Sequence, residues 1–184
     1  MIFLAIFLSL LCVVVMTIIA IYNRLVAYKN RMQEAWSGID VYLRKRHDLV
    51  PGLIAVVKAY AAHEKHTFET VSRCRAEAMR ARSVDAQIST ETGLGEAIGQ
   101  LIAIAESYPE LKASIHFLEL QKQLSALEED LALARRYYNG TVRENNIGME
   151  TFPSNLVADV FRFRRGRFFE IEKSEQAAPE VTFS

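Results

Sequence analysis

The chain carries no charged side chain before Arg24, and from Met1 to Tyr22 only Ser9 and Thr17 interrupt Ile, Leu, Val, Phe, Ala, Cys and Met. As a helix rising about 1.5 Å per residue, such a run matches the roughly 30 Å of hydrocarbon in a bilayer. A membrane span removes these residues from any soluble core. What remains of the 184 residues is enough for one soluble domain with a real interior, and not for two.

A cleaved signal peptide is the competing reading. It requires a basic start, a shorter apolar centre and small residues at a cleavage site. Here the chain opens Met1-Ile2-Phe3-Leu4, Ile18-Ile19-Ala20 is a poor site, and Leu11 precedes Cys12 where a lipoprotein signal needs a small residue. The segment is therefore expected to stay as a single-pass anchor over residues 1–22. Arg24, Lys29 and Arg31 follow it, whereas only the α-amino group precedes it. Positive flanks are retained on the cytoplasmic side, so the expected topology is N-terminus out and domain in the cytoplasm. A periplasmic or extracellular domain is the alternative.

Charge excludes some partners. With 22 basic and 22 acidic residues there is no net field to attract nucleic acid or a polyanionic substrate. Cys12 and Cys74 have neither the spacing of a metal knuckle nor that of a redox pair, and no disulfide is expected.

Past the span, apolar residues recur at helical steps through Tyr22, Leu25, Met32, Trp36, Ile39 and Leu43, with Lys29 in one core-like slot. This stripe is expected to continue the membrane helix. Arg44-Lys45-Arg46 and Pro51 suggest a turn near Asp48 to Pro51, or a kink in one long helix. A second helix of some 30 residues is expected from Leu53 through Val57, Tyr60, Val71, Cys74 and Ala78. Residues Ser83 to Gly95 read as a loop, Glu96 to Ser107 as a short helix, and Leu111 through Tyr138 as a third long helix reaching Met149. Phe152-Pro153 ends it, with one or two helical turns expected between Asn155 and Phe163. The fold class is thus all-α: an N-terminal transmembrane helix (1–22) continuing into an antiparallel three- to four-helix bundle (23–172), then a disordered tail (173–184). The seven-residue recurrence also permits coiled-coil self-association.

No set of residues reads as catalytic, cofactor-binding or metal-ligating. His63-Glu64-Lys65-His66 lacks one of the three residues between the histidines of the zinc-protease motif, and no third ligand stands nearby. Gly93, Gly95 and Gly99 lack the lysine and the strand-to-helix context of a phosphate loop. The most unusual stretch is Phe161-Arg162-Phe163-Arg164-Arg165-Gly166-Arg167-Phe168-Phe169-Glu170. Its phenylalanines, Phe168 and Phe169 among them, are expected to close one end of the bundle while the arginines lie on the surface. Arg162, Phe163, Arg164, Arg165 and Arg167 are also candidates for contact with a membrane or a protein partner, since arginines meet anionic headgroups while aromatic rings enter the interface. Stacking on single-stranded nucleic acid ranks below both.

Several segments together carry a resemblance. They are Tyr22-Asn23-Arg24-Leu25-Val26, Ala35-Trp36-Ser37-Gly38-Ile39-Asp40-Val41, Arg44-Lys45-Arg46-His47-Asp48-Leu49-Val50-Pro51, Tyr60-Ala61-Ala62-His63-Glu64, Tyr108-Pro109-Glu110-Leu111-Lys112, Ala134-Arg135-Arg136-Tyr137-Tyr138-Asn139, Phe152-Pro153-Ser154-Asn155 and Phe168-Phe169-Glu170. In order and spacing the chain resembles the LemA family of bacterial envelope proteins. It departs from the family at Tyr42, Gly52 and Asn145, where glutamine, asparagine and tyrosine are usual. The resemblance implies an inner-membrane protein with a short outside N-terminus and a cytoplasmic helical bundle. It also implies a link to membrane remodelling, including magnetosome formation, and to membrane zinc proteases encoded nearby, but no catalytic residues. The functional expectation is a non-catalytic scaffold or adaptor. Its partners are the lipid bilayer and either copies of itself or another membrane protein. An accessory subunit that presents substrates to a membrane zinc protease, or regulates it, is the alternative.

Overall fold

The structure is a computed structural model that describes residues 1–169; the expected tail at 173–184 and the domain's last residues lie outside them. Helix α1 (Ile2–Tyr60) runs unbroken from the apolar segment into the domain. Its most apolar 18-residue window has a mean hydropathy of 3.1, and none of that window is buried by the rest of the protein. A bare apolar surface of this length has its natural partner in lipid, and the chain is a membrane protein. From Leu25 onward the same helix buries Ala35, Ile39, Leu43, Val50, Leu53 and Val57, all at spacings that return to one face.

The continuity of α1 through Pro51 has a local cause. A proline inside a helix has no N–H to give to the carbonyl four residues back, which here is that of His47. Arg75, on the helix packed alongside, donates its Nε–H to the His47 carbonyl at 2.6 Å. The orphaned acceptor is thereby satisfied. Of the two readings of Pro51, the turn at Asp48–Pro51 is corrected in favour of one long helix.

The chain reverses instead at Ala61–Glu64, between α1 and α2 (Lys65–Arg80), so the expected 30-residue second helix is divided between these two elements. Val57, Ala61, Phe68 and Val71 are all buried and keep helical register across the reversal, so periodicity gives no sign of it. The expected loop at Ser83–Gly95 is also corrected, because α3 spans Val84–Glu106. Ser83 is its N-cap, accepting from the Ala86 N–H at 3.2 Å. Thr90 and Thr92 donate their hydroxyls to carbonyls within the helix, Ala86 at 2.8 Å and Ile88 at 3.0 Å. These polar residues decorate a helix, and Glu91 and Leu94 anchor it in the core.

Pro109 starts the single turn α4 (Pro109–Lys112), where its missing N–H costs nothing. Helix α5 (Ile115–Glu150) then returns antiparallel to α1: Leu120 lies against Gly52, Glu128 against Arg46, Tyr138 against Trp36 and Gly148 against Tyr28. Away from the apolar segment, α1, α2, α3, α4 and α5 enclose a core that includes Val57, Val71, Leu94, Leu101, Leu111 and Phe117. Nearer to it, α1 and α5 continue as a pair over Ile39, Leu43, Leu131, Tyr138 and Val142. Gly148 permits that closeness, since a Cβ there would stand 2.8 Å from the Tyr28 ring. Helix α6 (Ser154–Val160) folds back against α1. The antiparallel bundle of the sequence reading is present.

If the Arg75 contact replaces the bond that Pro51 deletes, the two residues are energetically coupled. Arg75→Met alone leaves a carbonyl short of a donor and should cost about 1–3 kcal/mol. In a Pro51→Ala background the restored N–H takes that carbonyl, and the same substitution should cost at least about 1 kcal/mol less. Urea unfolding of the four proteins in mild detergent measures the coupling. Additivity within about 0.5 kcal/mol would show that the two residues act separately.

Candidate functional site

The arginine- and phenylalanine-rich segment forms a strap from the end of α6 back along α5. Helix α6 closes with Arg162 in the left-handed region at φ 56°. The Arg162 N–H reaches the Asp159 carbonyl at 3.2 Å and the Phe163 N–H reaches that of Ala158 at 2.9 Å, the pair of hydrogen bonds of a Schellman cap. Phe163 then packs with Val157 and Ala158 against Leu25. Its ring also meets Tyr22, 5.7 Å between centroids.

Two asparagines of α5 hold the strap. Asn146 gives its amide to the Gly166 carbonyl at 3.0 Å and accepts the Gly166 N–H at 2.8 Å. Asn139 does the same for Phe169, donating to its carbonyl at 2.9 Å and accepting its N–H at 2.8 Å. A carboxamide so placed imitates the edge of a neighbouring strand. Seven helical residues rise about 10 Å, and three extended residues cover about the same distance. That match lets asparagines seven apart read backbone positions three apart. Between them Tyr138 donates its hydroxyl to the Arg167 carbonyl at 2.9 Å. Burial raises the Tyr138 pKa above its ordinary value, and the nearby Asp85 carboxylate adds to the shift.

The pairing sorts the segment's side chains. Phe169 is buried, 6.0 Å from Trp36 between ring centroids, with the Arg135 guanidinium 4.4 Å above its ring. Phe168 remains 44% exposed, so only one of the two phenylalanines expected to close the bundle does so. The strap's hydrogen bonds turn Phe168 outward. Arg162, Arg164, Arg165 and Arg167 are all exposed. Arg165 pairs with Glu150 at 3.2 Å and Arg167 with Asp85 at 2.9 Å, both at the surface. Trp36, on the apolar stripe of α1, is half-buried against Tyr138, while Ile39 is fully buried and Arg24 and Arg31 are exposed.

A second polar constellation was not legible in the sequence as a site. Glu91, fully buried, accepts from Arg46 at 3.4 Å and lies 2.6 Å from His47 Nε2. Arg46 also meets Glu128 at 2.8 Å. Gly95 leaves room for it, because a Cβ there would stand 2.9 Å from Arg46 Nη2. These groups join α1 and α3 inside the core and reach α5 at its edge through the half-buried Glu128, and they act as internal ties. His63 and His66 are exposed beside the α1–α2 reversal. Among the described residues no three His, Cys, Asp or Glu side chains converge as they would around a metal.

Stability should report the sorting of the strap. Phe169→Ala is expected to cost about 3 kcal/mol or more, and Phe168→Ala about 0.5 kcal/mol or less, by thermal or urea unfolding in detergent. Equal losses at the two positions would contradict the register set by Asn139 and Asn146.

Comparison with known proteins places the chain among named relatives. Similar proteins include Magnetosome protein MamQ 2 of Paramagnetospirillum magneticum, 25% identical over 90% of this chain and 70% of the relative. Magnetosome protein MamQ of Magnetospirillum gryphiswaldense is 23% identical over the same shares. Protein LemA of Metamycoplasma hominis is 25% identical over 86% of this chain and 74% of its own. None of these names denotes an enzyme. A family model described as LemA family matches residues 35–183, from the middle of α1 through the bundle, α6 and the strap, and on that match the chain belongs to the LemA family.

Proposed function

We propose that the protein is a membrane-anchored, non-catalytic scaffold of the bacterial inner membrane that assembles with itself or with another membrane protein. The observation that carries this reading is α1, one helix from the apolar segment through the bundle. A single continuous helix makes the domain a fixed extension of its anchor, a geometry suited to organising neighbours in the bilayer plane. The polar groups converging inside the bundle pair with one another across three helices, which supports a structural role. On the outside of α5, Leu133, Tyr137 and Ile147 are exposed at helical spacing, a surface suited to contact with a second helix. The relatives named as magnetosome proteins are consistent with a part in membrane organisation. The basic residues Arg24, Lys29 and Arg31 favour a cytoplasmic domain.

Extraction in mild detergent followed by native mass spectrometry tests the reading. The expected particle is a multiple of the 20.9 kDa chain, or a complex with a stoichiometric membrane partner. Tyr137→Glu with Ile147→Glu should reduce a self-assembly to monomer without loss of helicity. A monomeric wild-type protein with no co-purifying partner would overturn the scaffold. A co-purifying membrane metalloprotease would favour the accessory-subunit alternative.

A further inference from the structure

Helix α6 sits where a soluble element has no reason to be. Its inner face, Val157 and Ala158, is buried against Leu25 beside Ile21 and Tyr28. Its outer side carries bare apolar side chains, with exposed Asp159 on one flank: Leu156 is 56% exposed, Val160 76%, and Phe152 just before the helix 76%. Leu156, Val160 and Phe161 border an apolar groove of about 390 Å³ whose other wall is Val13, Val14, Thr17, Ile18 and Ile21 of α1. That wall belongs to the run that the sequence assigns to the bilayer. At about 1.5 Å per residue, Val13 lies some 14 Å along the helix from Tyr22, near half the hydrocarbon thickness. Both ends of α6 return to the edge of the run. Pro153 shares linings with Ile21, and the Phe161 ring packs at a tilt against Tyr22 with centroids 4.8 Å apart.

We propose that Phe152–Phe161 is a re-entrant anchor that dips into the same leaflet from which α1 emerges, with lipid acyl chains filling the groove between α6 and Val13–Ile21. The occupant follows from continuity, because the groove is an extension of the α1 surface that the bilayer already covers. The polar residues of α6 limit the dip to a depth from which they still reach headgroup water: Asn155 and Asp159, four apart, share one flank, and exposed Asp159 neighbours Leu156 three residues earlier. Arg162 and Arg164 are exposed just after the helix, where the chain climbs back along α5, and at that depth they meet headgroup phosphates. The asparagine-held strap fixes the far side of the dip, so α6 is pinned to α1 and α5 rather than left to find the membrane by itself. Anchored at two points, the domain cannot swivel about α1.

The inference rests on the membrane-span reading of residues 1–22, and the test separates the two. The full-length protein, with Cys12 and Cys74 replaced by serine, is reconstituted in phosphatidylethanolamine and phosphatidylglycerol vesicles with a single nitroxide at Leu156, Val160, Ile6 or Ile115. Collision rates with oxygen and with a nickel chelate report lipid and water in turn. Leu156 and Val160 should show high oxygen and low nickel access, like Ile6, while Ile115 at the far end of the bundle shows the reverse. Nickel access at Leu156 and Val160 with lipid-like values at Ile6 would overturn the re-entrant anchor and leave the span intact. Low access to both reagents would also overturn it, by showing that a second copy or another protein covers the groove. Nickel access at Ile6 as well would remove the span itself.

Discussion

One backbone carbonyl decides the shape of this protein. Pro51 leaves the His47 oxygen without its helical donor, and the Arg75 guanidinium supplies a replacement from α2. Without a donor that buried acceptor would bear a desolvation cost of about 1–3 kcal/mol, at the point where the sequence already disfavours a helix. With it, α1 keeps its direction, and everything downstream is placed relative to a single axis. The adjacent Arg46 and His47 can then meet Glu91 of α3, and α5 can run back in register from Leu120 at Gly52 to Gly148 at Tyr28. The same bond ties α2 to the helix whose continuity it supports.

At the other end of the bundle a different device does comparable work. Burying an extended strap against helices exposes its backbone to loss of water, and ordinary helix side chains offer nothing in return. Asn139 and Asn146 each offer a donor and an acceptor, and their spacing matches the strap's. Tyr138 adds a third bond to the strap, and its raised pKa reflects the same burial. The consequence is a membrane-facing end in which α1, α5, α6 and the strap are mutually fixed. For a protein whose proposed task is to hold other components in a membrane plane, rigidity between anchor and domain is the property most needed.

Much of this was legible in the residues. The apolar run ending at Tyr22, the stripe from Leu25 to Leu43 and the long stripe of α5 are periodic features that packing does not override, and each is helical as expected, although Leu111 falls in α4 and the third long helix starts only at Ile115. The errors fell where local chemistry and tertiary context disagree. The loop reading of Ser83–Gly95 weighed hydroxyls and glycines by their behaviour in isolation, whereas Thr90 and Thr92 bond within α3 and Glu91 finds Arg46. The turn at Pro51 was a sound local expectation reversed by an arginine in the next helix. The reversal at Ala61 left no periodic trace, because its buried residues stay in helical register. In the strap, composition distinguished phenylalanine from arginine but not Phe168 from Phe169. That distinction comes from two asparagines distant in sequence.

The continuity of α1 can be read as a distance. Nitroxides at Arg31 and Lys58, both exposed on α1, are separated by 27 residues when Cys12 and Cys74 are replaced and only these positions are labelled. An unbroken helix at about 1.5 Å per residue puts them about 40 Å apart. Pulsed electron–electron dipolar spectroscopy on the full-length protein in lipid should give one distribution centred there. A distance of about 20 Å, the value for a chain that turns at Asp48–Pro51, would contradict the helix on which the anchor, the bundle and the proposed scaffold all depend.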